Sequence, residues 1–139
     1  MAVVVGFVPT NEGRAALRRA AEEARTRGTR LVVINSNRGG KDLTTADAER
    51  YDSELATVRR ELSEAGIDHE VRQLVRGQEP AEDLIAVAEE VGAEVIVIGL
   101  RRRTPVGKLI LGSHAQRILL DAPCPVLAVK ADPTSAETR

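Results

Sequence analysis

The residues best suited to chemistry lie in one stretch, GLRRRTPVGKLILGS, at positions 99–113. It holds three consecutive arginines and ends in Gly112-Ser113, directly before a segment with helical periodicity. Free backbone N–H groups and the dipole at a helix start favour an anion such as a phosphate, and glycine lets the backbone approach it closely. The stretch therefore predicts an anion site, in which Ser113 either caps the helix or binds a phosphate oxygen.

Two standard phosphate motifs are excluded, while plainer explanations of this stretch stay open. A Walker A loop needs Ser or Thr after its Gly-Lys pair, but Leu109 follows Lys108, and no G-x-G-x-x-G occurs in the chain. Gly112-Ser113 is equally compatible with an ordinary helix start that has a serine N-cap. The arginines form either a solvated turn or a phosphate contact. Nucleic acid is a weaker alternative, because this stretch has no aromatic side chain for base stacking.

No catalytic set emerges from the other reactive side chains. His114 is either a ligand contact or a solvent-facing residue, and His69 is expected to be exposed. Cys124 lies between two prolines and is expected to be a buried packing residue. The carboxylates lie mainly on helix faces, where we expect solvent. Because no Ser-His-Asp set or metal-ligand cluster is visible, we expect a binding protein without a metal rather than an enzyme, with weak hydrolytic activity left open.

The elements that must position these residues alternate between apolar strands and amphipathic helices. Strands are predicted over 2–8, 30–36, 68–75, 94–99 and 124–130. Helices are predicted over 11–28, from 44 or 45 to about 66, within 77–92 with Pro80 in the first turn, and from about 113 to 121. This alternation predicts an α/β fold with a parallel sheet between two helical layers. The polar strand 68–75 is expected at a sheet edge. If the first and fourth strands are central neighbours, the ligand position lies between Val8–Thr10 and Gly99–Ser113.

Length and charge limit the class of protein further. A chain of 139 residues is most simply one domain, and a net charge of -1 gives no general attraction to DNA or anionic membranes. No apolar run approaches the roughly 20 residues of a membrane helix, and the N-terminus lacks the features of a secretory signal. One cysteine fits a reducing compartment. We expect a cytoplasmic domain over 1–131 with a polar tail over 132–139, and neither nucleic acid nor membrane as a partner.

Three segments together resemble the universal stress protein family of the UspA type. They are EGRAALRRAAEEAR, GQEPAEDLIAVAEEVGAEVIVIG and VGKLILGSHAQRILLDAPCPVLAVK, the last being close to the family's C-terminal signature. The resemblance covers residues 1–130. It implies a single-domain, doubly wound, five-stranded parallel sheet of order 3-2-1-4-5 in a three-layer α/β/α sandwich. It also implies that ATP or AMP can bind through G-x2-G-x9-G-S/T, as in many members of the family, although other members bind no nucleotide.

The phosphate half of that motif is retained only in part. Gly99 matches its first glycine, and Gly112 and Ser113 match its closing pair at the correct distance. Arg102 stands where the family has its second glycine. This arginine either blocks close backbone approach or binds phosphate through its guanidinium fork, and Arg101 can reinforce it.

The nucleoside half departs from the family at the first strand. Val8 replaces the aspartate that usually holds the ribose in nucleotide-binding members; Pro9 and then Thr10, where the family often has serine, follow it. Ile34 and Asn35 match the region that cups adenine. Losing the charged acceptor removes roughly 1.5–3 kcal/mol, or one to two decades of affinity. We therefore expect weakened ATP binding.

The resulting hypothesis is a stress-response binding or signalling module for a phosphate-containing small ligand: ATP, AMP or a similar molecule. The predicted binding residues are Pro9, Thr10, Asn35, Gly99, Arg101, Arg102, Gly112, Ser113 and His114. The alternative is a nucleotide-independent dimeric interaction protein. In either case the short apolar strand PVLAVK, at a sheet edge, is expected to pair with the same strand of a second copy as a homodimer.

Overall fold

In the part of the chain that the structure describes, five strands and four helices alternate, as the sequence predicts. The computed structural model describes residues 1–37, 45–75, 79–100 and 112–131. In chain order the elements are β1 (Ala2–Gly6), α1 (Asn11–Arg27), β2 (Arg30–Asn37), α2 (Thr45–Glu64), β3 (His69–Val75), α3 (Pro80–Val91), β4 (Ala93–Leu100), α4 (Ser113–Asp121) and β5 (Val126–Lys130). Arg101 and Arg102, both predicted to bind phosphate, lie outside the described residues, as does the tail 132–139.

All strands pair in parallel, in the order β3-β2-β1-β4-β5. This confirms the predicted fold class and strand order, including β3 at one edge. Two strand ends differ from the prediction by two residues, and the other differences are of one residue. β1 stops at Gly6 rather than Val8, because a tight turn with a Thr10 N–H to Val8 carbonyl bond of 2.8 Å redirects the chain into α1. β5 begins at Val126, because Pro125 has no N–H to donate to the ladder.

The two faces of the sheet carry separate aliphatic cores. One is closed by α1 and α2, and its buried residues include Val3, Val5, Phe7, Leu31, Val33, Ala16, Ala20, Leu55, Val58 and Val97. The other is closed by α3 and α4, and its buried residues include Val4, Val32, Ile34, Leu84, Val87, Ala88, Ile96, Ile98 and Ile118. Alternate residues of each central strand face opposite cores, as expected of a sheet covered on both sides. Within the described ranges, no helix has the length and apolarity needed to cross a membrane.

The start of α1 is held unusually close to the sheet. Thr10 is the N-cap, and its Oγ1 accepts a hydrogen bond from the Gly13 N–H at 3.1 Å. A Cβ on Gly13 would lie 1.9 Å from the carbonyl oxygen of Val8, which is far inside van der Waals contact. Glycine at position 13 is therefore required for the backbone of α1 to pack directly on the turn that follows β1.

The β3 edge is covered by charge. Glu70 accepts hydrogen bonds from both Arg30, at 2.9 Å, and Arg72, which also pairs with Glu90 at 2.9 Å. The bond from Arg72 lowers the pKa of Glu70 below its usual value, and the same bond raises the pKa of Arg72. Charged side chains of this kind discourage the pairing of an edge with another chain. β3 is thus a protected edge.

We expect Gly13→Ala to lower the free energy of unfolding by about 1–3 kcal/mol, because the added methyl group collides with backbone rather than with a movable side chain. Helix propensity alone predicts the opposite, a gain of about 1 kcal/mol. Urea unfolding followed by far-ultraviolet circular dichroism measures the difference. Thr26→Ala, at an exposed position of the same helix, is the control and should be neutral or mildly stabilising. A Gly13→Ala protein as stable as the wild type would contradict the close contact.

Candidate ligand-binding site

A cavity of about 490 Å³ opens beyond the carboxyl ends of β2, β1 and β4. β1 lies between β2 and β4, so the chain connections diverge here to opposite faces of the sheet. Doubly wound sheets bind ligands at this point, and the volume falls in the usual range for small-molecule sites. The wall includes Gly6, Phe7, Val8, Glu12, Gly13, Ile34, Ser36, Pro80, Ala81, Leu84, Ile98, Gly99, Leu100, Gly112, Ser113, His114, Ala115 and Ile118.

The first turn of α4 forms one end of the cavity. Gly112 is the N-cap, with φ -72° and ψ 167°, and its carbonyl accepts the first helical bond from Gln116 at 3.0 Å. Ser113 is therefore the first helical residue, and the serine N-cap considered from the sequence is wrong. The N–H groups of Ser113, His114 and Ala115 have no partner within the helix. Since the first turn holds neither an acid nor a side-chain cap, the positive end of the helix dipole is left to the cavity.

Gly99 has a steric role that does not depend on any ligand. It lies near the end of β4 and lines the cavity. A Cβ at this position would lie 2.3 Å from the backbone carbonyl oxygen of Glu12. Glycine here lets the first turn of α1 rest on β4, so the two sides of the cavity are fixed relative to each other.

The segment after β1 contributes less than the sequence predicts. Val8 lines the cavity and is 42% exposed, but Pro9 and Thr10 are not among the lining residues. The hydroxyl of Thr10 instead caps α1 through Gly13. The position of Val8 next to the cavity fits the ribose position implied by the resemblance, and its side chain offers no hydrogen bond there.

Asn35 lies on the other face of the sheet from the cavity. It is 1% exposed, and its Nδ2 donates to the carbonyl of Phe7 at 3.0 Å. This bond ties the end of β2 to the chain leaving β1. Its neighbours Ile34 and Ser36 point to the cavity side and line it. Asn35 therefore does not line the cavity but supports its wall from the opposite face of the sheet.

The rim between α3 and α4 carries weak contacts between acidic and basic side chains. His114 Nδ1 lies 3.6 Å from Glu79 Oε2, and Arg117 Nη1 lies 3.5 Å from Glu82 Oε1. The side chain of His114 is 51% exposed, so solvent screens its pair, and each such pair contributes at most about 1 kcal/mol. His114 thus lines the cavity and is also open to solvent, and its contact with a ligand stays a prediction.

Ser36 and Asp83 form a pair that no local sequence pattern predicts. Asp83 of α3 is completely buried, contrary to the expectation of solvated acids, and accepts a hydrogen bond from the Ser36 hydroxyl. On the inner face of α3, Val87 is buried, whereas Ile85 is only half-buried. Asp83 lies one helical turn before Val87, so the two residues share a face of α3. This spacing was the signal in the sequence from which the burial of Asp83 could have been predicted.

The remaining reactive residues lie away from the cavity wall. Cys124 is half-buried rather than buried, packs against the α3/α4 core, and has its pKa raised by burial. His69 is also half-buried, not exposed, with its Nδ1 2.8 Å from the carbonyl of Ile67. Among the described residues, no group of three or more His, Cys, Asp or Glu side chains could hold a metal.

The strand order and the ligand-sized cavity beyond it define a doubly wound α/β protein, and comparison with known proteins gives the family. The universal stress protein family matches residues 1–130, and the chain belongs to this family. A universal stress protein of Mycolicibacterium smegmatis is 44% identical over 128 residues, covering 92% of this chain and 96% of the relative.

Solved structures agree with this assignment. The universal stress protein of Archaeoglobus fulgidus superimposes with a TM-score of 0.81 at 39% identity, over 94% of this chain and 98% of that chain. A structure of the universal stress protein from the same organism in complex with dAMP gives a TM-score of 0.76 at 34% identity, with the same coverage.

The open first turn of α4 leads to a prediction about stability. Ser113→Asp should raise the free energy of unfolding by about 0.3–1 kcal/mol, because a carboxylate at the first helical position complements a dipole that no acid in that turn complements. Ser113→Asn introduces a side chain of the same size as aspartate but without its charge, and serves as the control. Thermal unfolding at low ionic strength compares the two. An aspartate variant no more stable than the asparagine variant would show that the helix end is already neutralised.

Proposed function

We propose that this universal stress protein is a stress-response binding module that holds an adenine nucleotide, or a similar phosphate-bearing small ligand, in the cavity. The first turn of α4, which lies in the cavity wall and has no side-chain cap, carries this proposal, because the helix dipole and the N–H groups without a partner within the helix favour an anion there. The dAMP complex of the Archaeoglobus fulgidus relative supports the ligand class. No catalytic step is required of the protein, and we place its function in the cytoplasm.

The proposed ligand lies across the ends of three strands. Its phosphate binds at Gly112, Ser113 and the following N–H groups, where Arg101 and Arg102 supply further positive charge in the proposal. Its sugar lies near Val8 and its base near the end of β2. The sugar position lacks the acidic acceptor that the family usually has, since Val8 presents only methyl groups to the cavity. We therefore propose that ATP binds weakly.

The test is calorimetric titration of the protein with ATP and AMP. We expect dissociation constants weaker than the low-micromolar range, and Val8→Asp should tighten binding roughly 10- to 100-fold by restoring a charged acceptor for the ribose hydroxyls. Val8 is 42% exposed, so the substitution leaves the core intact. Val8→Asn, which is neutral and of equal size, should give a smaller gain. Low-micromolar or tighter binding of ATP by the wild type would contradict the weak binding. Absence of binding by all three proteins would favour the nucleotide-independent alternative.

A specific feature of β5 also supports a homodimer. The Ile96 N–H donates to the Pro125 carbonyl at 3.0 Å, so Pro125 faces β4. Residues of a parallel strand alternate in the side to which both their N–H and C=O groups point. Leu127 and Val129 therefore also bond to β4, and the N–H and C=O of Ala128 point to the open edge. We propose that this edge pairs with the β5 strand of a second copy.

The chemistry of the two edges favours β5 as the interface. β3 is covered by charged side chains, whereas β5 is half-exposed and mostly apolar, with Leu119 and Leu120 exposed on the preceding helix. A two-fold axis would let each β5 supply the hydrogen-bond partners that the other lacks.

Ala128→Pro should convert a dimer into a monomer, because it removes an N–H that faces the open edge and leaves the bonds to β4 in place. Light scattering at matched protein concentrations measures the mass of each protein. Ala128→Ser keeps the N–H and is the control that should remain dimeric. A monomeric wild type, or a dimeric proline variant, would exclude this interface.

A further inference from the structure

We propose that Ser36, fixed by Asp83, is a specificity-determining residue that accepts a hydrogen bond from the ligand and so selects a base carrying an exocyclic amino group. The inference rests on the proposed function, because it assigns a role at the base end of the same cavity. Ser36 and Asp83 lie 47 positions apart in sequence and are brought together by the packing of α3 on β2.

The first step is the isolation of the Asp83 carboxyl. The residue has no exposed surface, and its Oδ2 accepts from the Ser36 hydroxyl. Its Oδ1 has no hydrogen-bond partner among the described residues. A buried carboxyl with one partner for two oxygens is strongly dependent on that partner, since buried polar atoms without hydrogen bonds are costly.

The second step follows from the number of protons on a hydroxyl. Ser36 has one O–H donor and two acceptor lone pairs. If its proton turned toward a ligand, both oxygens of the buried Asp83 carboxyl would be without a described partner. The proton therefore stays on the Asp83 side, and Ser36 presents only acceptor lone pairs to the cavity that it lines.

The third step is the position of Ser36 relative to the anion site. Ser36 lies near the end of β2, and Gly112 and Ser113 lie beyond β4, with β1 between the two strands. Two strand spacings amount to about 10 Å. A nucleoside monophosphate with its phosphate at the first turn of α4 can extend its base to Ser36 across this distance.

An acceptor at this position discriminates between purines by chemistry. The amino group of adenine is a donor and matches the lone pairs of Ser36. The carbonyl oxygen of hypoxanthine at the same ring position is an acceptor, so it would face another acceptor without a proton between them. A ligand that leaves a polar atom of its binding site without a hydrogen bond binds more weakly than one that supplies the bond, so such sites discriminate strongly between the two ligands.

The experiment measures the affinities of AMP and IMP for the full-length protein by calorimetry. The wild type should prefer AMP by roughly tenfold. Ser36→Ala removes the acceptor and should bring the preference close to unity. Asp83→Asn lets the side chain at position 83 donate to Ser36, which frees the hydroxyl proton for the ligand, so the preference should shift toward IMP.

Asp52→Asn, the same change at an exposed position of α2, is the control and should keep the wild-type preference. Thermal unfolding establishes that each variant is folded, and if Asp83→Asn is not, Ser36→Ala decides the result. Equal affinities in the wild type, or an AMP preference retained by either site variant, would overturn the inference and leave the proposed function intact. Binding of neither nucleotide by the wild type would overturn both.

Discussion

The architecture depends on a backbone-to-backbone contact where α1 meets the ends of the two central strands. Gly13 lies against the Val8 carbonyl and Gly99 against the Glu12 carbonyl, at distances that exclude even one methyl group. This contact holds α1 on one face of the sheet, while α3 and α4 cover the other. The cavity is the space left beyond the strands where the two layers part. Glycine at these two positions is thus required for α1 to pack against the strand ends that border the cavity.

Local patterns in the chain predict the elements well, because each apolar run or helical stripe is decided by near neighbours. The strand order came from the family resemblance, and the sheet agrees with it. Features that depend on packing were harder to predict from these local patterns. A proline-terminated run suggested a strand to Val8, although the tight turn ends it at Gly6. Ser113 resembles a cap residue, yet the extended backbone of Gly112 takes that position. The link from Ser36 to Asp83 joins distant segments, so no short pattern contains it.

The cavity has two ends of different electrostatic character. At α4, backbone donors that have no partner within the helix create a positive potential together with the helix dipole. At β2, a buried carboxyl acts through a neighbouring hydroxyl and orients it. Between them, Val8, Ile34, Leu84 and Ile98 give a mostly apolar wall. Such a gradient suits an elongated ligand with an anionic head and a hydrogen-bond donor at its far end.

The aliphatic character of both cores also determines how the protein interacts with light. The chain has one Tyr, one Phe and no Trp, with Phe7 buried beside the cavity and Tyr51 on α2 under the Arg50 guanidinium. Its own near-ultraviolet absorption and fluorescence are consequently faint. A purine in the cavity would dominate the spectrum, and near-ultraviolet circular dichroism would report the asymmetry of the bound base almost free of protein background. Because the interior is packed with Val, Leu, Ile and Ala, the occupancy of the cavity by a purine can be measured directly from the near-ultraviolet spectrum.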